Sequence, residues 1–146
     1  MSAVEDVDQL IERFNIAQGE VVRGNAEPAN RLFSLREDVT LANPLGPPAH
    51  GWGEVAAAAE RAAANFRDGE IVGFETIEKY VTAELAYIVR VERAWAKVGG
   101  SEDITPITLR VTMIFRPEED GQWKIVHRHA DPITTAQPAE SVIQQR

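Results

Sequence analysis

The chain contains no cysteine. That removes disulfides and thiolate metal centres in one step, and with them the small secreted scaffolds that depend on cross-links. There is no basic excess: 15 Lys and Arg stand against 23 Asp and Glu, a formal net charge of −8. Docking on a phosphate backbone needs the opposite sign, so no nucleic-acid partner is expected. No apolar run approaches the roughly 18 residues a membrane helix needs, so no membrane partner is expected either. The opening stretch MSAVEDVDQL is acidic and has neither the basic n-region nor the apolar h-region of a signal peptide. A cytoplasmic location is the expectation. Nucleotide loops, nucleophile elbows, zinc-helix motifs and calcium loops are also missing, and no cofactor is expected.

What is present fits one domain: 146 residues, 44% of them hydrophobic, are enough to bury a real core. Ser2-Ala3-Val4-Glu5 matches a capping box. Val4, Val7, Leu10 or Ile11, Phe14, Ala17 and Val21 then recur at helical spacing, predicting a helix to about residue 22. Gly24-Asn25 stops it. A short second helix is expected over 27–35, with Pro28 tolerated in its first turn. Val39 to Leu41 reads as extended, and the loop Asn43-Pro44-Leu45-Gly46-Pro47-Pro48 is too rich in Pro and Gly for regular structure. His50-Gly51-Trp52-Gly53 leads into an alanine-rich helix expected over 54–66.

From there the pattern turns to strands, expected over 70–81, 85–98, 104–116 and 122–131 with short polar connections, an antiparallel meander. The last two are the densest part of the chain, ITLRVTMIFRPEEDGQWKIVHRHAD. Val111 to Phe115 suits a half-buried pleated surface, and Pro117 has no N–H to continue a ladder. Asp120-Gly121 supplies the positive-φ turn. Strict alternation places Trp123, Ile125, His127 and His129 on one face, and Lys124, Val126, Arg128 and Ala130 on the other. Helices first and a meander second is an α+β layout, with the helices gathered on one face of the sheet. The domain is expected over 1–135, followed by a flexible tail over 136–146 with little apolar patterning.

The order of these pieces, with DVTLANP in the middle and DGQWKIVHRH near the end, resembles the nuclear transport factor 2-like superfamily over about residues 4–131. The nearest likenesses are the SnoaL-like and ketosteroid-isomerase-like proteins and the association domain of calcium/calmodulin-dependent kinase II. The resemblance implies a cone: a curved antiparallel sheet wrapping three N-terminal helices, with a pocket at the open end and a homodimer formed through the outer face. It also implies that Arg128 and Ala130 face the pocket, with His127 and His129 outside. Tyr87, Val89 and Val91, and then Arg110 and Thr112, are implied on the pocket side as well. An arginine of the kinase domain is replaced here by Ala130. Superfamily members range from isomerases, cyclases and dehydratases to binding and assembly domains, so the fold alone leaves the activity open.

Arg128 and Arg110 are thus candidates to bind a carboxylate, phosphate or enolate through paired guanidinium donors. Ion pairing to an acidic residue such as Glu92 or Glu78 is the plainer alternative. Asp131 and His50 are the candidate bases for cofactor-free proton transfer, with Arg128 stabilising the oxyanion. Asn43, Trp52, Tyr87, Val89, Arg110, Thr112 and Arg128 are the candidate ligand-binding residues, and Glu54 lies beside Trp52. His127 and His129 at i and i+2 have no evident third ligand, so no metal is expected. The expected function is binding of a carbonyl- or anion-bearing small molecule, with isomerisation, cyclisation or dehydration if a base is in place. The alternative is a non-catalytic ligand-binding, dimerisation or assembly module.

Overall fold

Ser2 opens the first helix in the computed structural model, which describes residues 2–144. The Ser2 hydroxyl accepts a hydrogen bond from the Glu5 N–H at 3.1 Å, satisfying one of the donors that a helix start leaves exposed. α1 runs Ala3–Val21 and buries Val7, Leu10, Phe14 and Ala17, the stripe read from the sequence. Gly24 then takes φ of +100°, the turn-out that glycine adopts without steric cost. α2 is one turn, Glu27–Asn30, rather than the longer helix expected. The reason is tertiary: Ser34 N–H donates to Ile125 O, and Ile125 N–H to Leu32 O, so the chain leaves the helix to pair with the last strand.

β1 (Thr40–Ala42) and β2 (Ala49–His50) flank the Pro/Gly-rich loop, and α3 spans Trp52–Ala63. The meander follows as β3 (Phe66–Val81), β4 (Ala86–Val98), β5 (Thr105–Pro117) and β6 (Trp123–Asp131). Gly121 has the positive φ, +82°, that the Asp-Gly turn required. The tail contains a short 3-10 turn, Ala139–Val142.

All six strands form one sheet in the order β2-β1-β6-β5-β4-β3. The four-stranded meander is therefore extended by two short strands, and β1 lies parallel to β6, which makes the sheet mixed. The sheet is curved and unclosed, and with the three helices it makes the expected α+β cone. Bulges supply the bending: the β3–β4 ladder shifts register between Arg67 and Glu70, Ile71 and Gly73, and Thr76 and Glu78.

One further bulge corrects the face assignment on β6. Ile114 pairs with His127, but Phe115 pairs with Ile125, so Val126 is an extra residue. Trp123 and Ile125 before the bulge, and Arg128 and Ala130 after it, are therefore all buried on the inner face. The inner face continues through Val111, Met113 and Phe115 of β5 and Ile88, Arg90, Glu92 and Ala94 of β4. The buried stripe of α1 packs into the same core, as do Val55 and Ala58 of α3. Each large apolar side chain fully buried this way is worth about 1.5–3 kcal/mol.

Candidate functional site

The core residues do not fill the space between the three helices and the sheet. A cavity of about 410 Å³ remains, within the usual range for small-molecule sites. Its walls are Phe14 and Val21 from α1, Ala59 and Ala62 from α3, and Leu41, Pro44 and Leu45 from β1 and the loop after it. Ile107 and Leu109 of β5, Ala94 of β4 and Ala130 of β6 form the sheet side. These are small or apolar because alternation on a curved strand presents every second residue inward, and the alanines of α3 keep that helix from closing the space. Polar groups reach the cavity at a few points, among them Gln18, Asn30, Asn43, Glu92 and Arg128.

Glu92 and Arg128 are the chemical centre of this lining. Arg128 grips Glu92 bidentately, Nη1 to Oε2 at 2.9 Å and Nη2 to Oε1 at 2.7 Å. From the other side Arg90 donates Nε to Glu92 Oε2 at 3.0 Å, with its Nη2 2.8 Å from the same oxygen. Gln18 Nε2 donates to Glu92 Oε1 at 3.1 Å. Arg90 Nη1 donates to Asn15 Oδ1 at 2.6 Å, and its guanidinium lies 4.2 Å over the Phe74 ring. Arg128 lies 5.1 Å over Phe14.

Burial by itself would raise the Glu92 pKa; Arg128 first, then Arg90, outweigh it and bring the carboxyl down to about 2. Burial likewise lowers the Arg90 pKa, against the pull of Glu92. A buried ion carries a desolvation penalty of several kcal/mol, whereas a cation–π contact returns up to about 2 kcal/mol. The carboxylate, not the rings, is what holds two guanidiniums inside.

The other sequence candidates are placed differently. Arg110 and Thr112 alternate with the buried Val111 and Met113, and Tyr87 and Val89 with the buried Ala86, Ile88 and Arg90. All four lie on the outer face, so their expected pocket-side placement is corrected, as is that of Val91. The register fixes this: Met113 is opposite Arg128 and Ile88, so the residues between them must point away. Tyr87 packs instead against Tyr80, ring centroids 5.8 Å apart.

Asp131 is also outside. It accepts from Arg110 Nε at 3.0 Å and Nη2 at 2.9 Å, and contacts His129 Nε2 at 2.9 Å. Arg110 lowers the Asp131 pKa, and Asp131 raises that of Arg110. Asp131 is the rim residue by backbone, but its carboxylate points to the outer surface. His50 is exposed at the end of β2, where its N–H donates to Glu54 Oε1 at 3.4 Å. Trp52 starts α3, packs against the core and lines a separate surface cleft with Leu35 and Lys124. Asn43 does line the main cavity. His127 is half-buried on the outer face, with Nδ1 2.8 Å from Thr40 Oγ1; burial and then His129 lower its pKa.

Among the candidates, then, Arg128 and Asn43 meet at the cavity. The pairing of Arg128 with Glu92 is the plainer alternative the sequence offered. Gln18, Arg90 and the sharing of Glu92 between two arginines were not read from the sequence. In AYIVRVERAWA both parities of β4 are apolar enough to be internal, so alternation gave no direction. The cross-strand register to Arg128 would have supplied it.

Residues 7–134 match the family model described as a SnoaL-like domain. The fold is similar to a nuclear transport factor 2-like superfamily protein of Salmonella enterica serovar Typhimurium, with a TM-score of 0.76 at 15% identity over 93% of this chain and 94% of that one. It is similar to a ketosteroid isomerase-like protein of Erwinia carotovora atroseptica, with a TM-score of 0.72 at 15% identity over 88% and 94%. A candidate dehydratase of the NTF2-like family from Streptomyces avermitilis gives a TM-score of 0.70 at 22% identity over 92% and 100%. At these identities the likeness establishes the fold. No curated protein matches the chain.

Proposed function

The chain belongs to the SnoaL-like family, and from that premise we propose that it binds a small, largely apolar organic molecule in the cavity between its helices and the sheet. The observation that carries this reading is the cavity itself: about 410 Å³ of space walled by Phe14, Leu41, Ile107 and Leu109, which the core leaves unfilled. Apolar cavities of this kind take apolar guests, with a few polar groups to orient them. Arg128, Gln18 and Asn43 are the orienting groups.

Turnover by proton transfer is the less supported branch. Among the described residues lining the cavity, Glu92 is the sole carboxylate, and two arginines hold it ionised with a pKa of about 2. A general base works best near the operating pH, so a carboxylate this acidic is a weak proton acceptor. Neither Asp131 nor His50 is among the residues that line the cavity.

The test is saturable binding of the apolar dye N-phenyl-1-naphthylamine, read by fluorescence, in the unmodified protein and in Ala94→Trp, which places an indole in the cavity. One dye per chain, lost in the variant, supports the reading. Failure of the unmodified protein to bind, or equal binding by both, overturns it.

A second reading, self-association, is favoured by the outer sheet face. Tyr80, Tyr87 and Trp95 are exposed there, with Val89, Val91 and Ile114 between them. A standard interface covers about 800 Å² on each partner. In a homodimer built on this face, Tyr87, Val89, Arg110 and Thr112 would contact the second copy rather than a ligand. Sedimentation equilibrium would give a dimer that Val91→Glu converts to a monomer; a monomeric parent protein removes this reading.

A further inference from the structure

We propose that the molecule held in the cavity is an apolar monoanion, of the aryl or alkyl carboxylate class, with its anionic end against Arg128. This rests on the binding reading above and narrows it. Among the described residues, the charged side chains buried in the core are Arg90, Glu92 and Arg128. Two positive charges against one negative leave one positive charge in excess, inside a chain whose overall charge is −8.

The other contacts of the two arginines do not remove that excess. Beyond Glu92, Arg90 meets the neutral amide of Asn15 and the Phe74 ring, while Arg128 meets Met113 Sδ at 3.6 Å and the Phe14 ring. Amide, thioether and ring disperse the charge without cancelling it. An arginine does not discharge by losing its proton under ordinary conditions, and Glu92 serves both guanidiniums at once.

The cluster opens on the cavity at one end. Arg128 and Glu92 line it together with Arg93, whose guanidinium is engaged by Glu75 on the exposed side, whereas Arg90 is held behind them at 1% exposure. The surrounding walls are apolar, so the field of the excess charge is little screened where a ligand would lie. Donors are also at hand. A guanidinium carries more N–H groups than Glu92 engages, and the Gln18 amide has a second N–H beyond the one given to Glu92. A single negative charge brings the cluster to neutrality. A neutral carbonyl could accept the same hydrogen bonds but would leave the charge uncompensated, and a cation would be repelled.

The test uses two probes that share one aromatic frame. 1-Anilinonaphthalene-8-sulfonate has a sulfonate that N-phenyl-1-naphthylamine lacks. At about 0.15 M salt the anionic probe is expected to bind at least about ten-fold tighter, as a charge-assisted hydrogen bond would give. Arg128→Met should erase that preference, bringing the affinities of the two probes within about two-fold of each other. A second arm needs no variant: decanoate should displace N-phenyl-1-naphthylamine from the unmodified protein at about one-tenth the concentration required for decan-1-ol. Saturable binding of the neutral probe as tight as that of the anionic one, with decanol matching decanoate, overturns the charge assignment and leaves the binding reading standing. Absence of saturable binding by either probe overturns both.

Discussion

Two arginine–carboxylate pairs sit on opposite faces of the same sheet, and their geometry is nearly the same. Arg128 holds Glu92 through contacts of 2.7 and 2.9 Å, and Arg110 holds Asp131 through contacts of 2.9 and 3.0 Å. Their surroundings are opposite. The side chains of the first pair are 8% and 6% exposed, and those of the second 57% and 17%. Water screens the outer pair and solvates its members when they separate, so the pair adds little to stability. The inner pair has no such refuge. Its members are committed to each other, and separating them leaves an unpaired ion in the core. The distance of an ion pair is therefore a poor guide to its weight; which face of the strand it occupies decides.

Glu92→Gln should give the largest effect on that contrast. It removes the carboxylate shared by Arg90 and Arg128, and denaturant unfolding is expected to show a loss of about 3–5 kcal/mol. A loss below about 1 kcal/mol would mean that water reaches the cluster.

The same group governs the acid limb. Its folded pKa of about 2 lies below the ordinary 4.5, so its stabilising contribution is complete above about pH 4.5 and is lost as pH falls from there toward 2. Unfolding free energy measured between pH 6 and pH 2.5, in parent and Glu92→Gln, should converge toward the acid end. Parallel curves would contradict the lowered pKa. Asp131, also lowered by Arg110, should add only a small part of the acid slope, because its pair is solvated.

Arg128→Met should cost less than Glu92→Gln, about 1–3 kcal/mol, because Glu92 keeps Arg90 and the new side chain fills much of the space. A reversed order of these two variants would break the account of Glu92 as the group that holds both cations. The smallest effect is expected for Arg110→Ala: a melting temperature within about 2 °C of the parent and unchanged dye binding, because Arg110 lies on the exposed face. A larger shift at low protein concentration only would point to loss of a dimer contact.

Most of the fold was legible locally. Period 3.6 in α1, the Ser2 cap, the Gly24 stop, the Asp120-Gly121 turn and the strand-rich second half each follow from how single residues or short windows constrain the backbone. The site was legible only in part. Arg128 could be placed inward by resemblance to a known strand, whereas Arg110, Thr112, Tyr87 and Val89 were placed inward by the same comparison and face outward. A strand apolar on both parities, as β4 and β5 are, carries no local mark of which side is core.

What the sequence determined by itself was the kind of each long helix and strand, because propensity, capping and periodicity act within a few residues. Tertiary structure decided three things that no window contains. Pairing of Ser34 and Leu32 with Ile125 cut α2 short. The extra residue Val126 changed the parity of β6, so that Ile125 and Arg128 share a face three positions apart. And the register of β4, β5 and β6 brought Glu92 under both Arg90 and Arg128 across 36 residues of chain. Register is a property of pairs of strands, set by the bulges and the packing between them, and a one-residue slip moves every side chain to the other face.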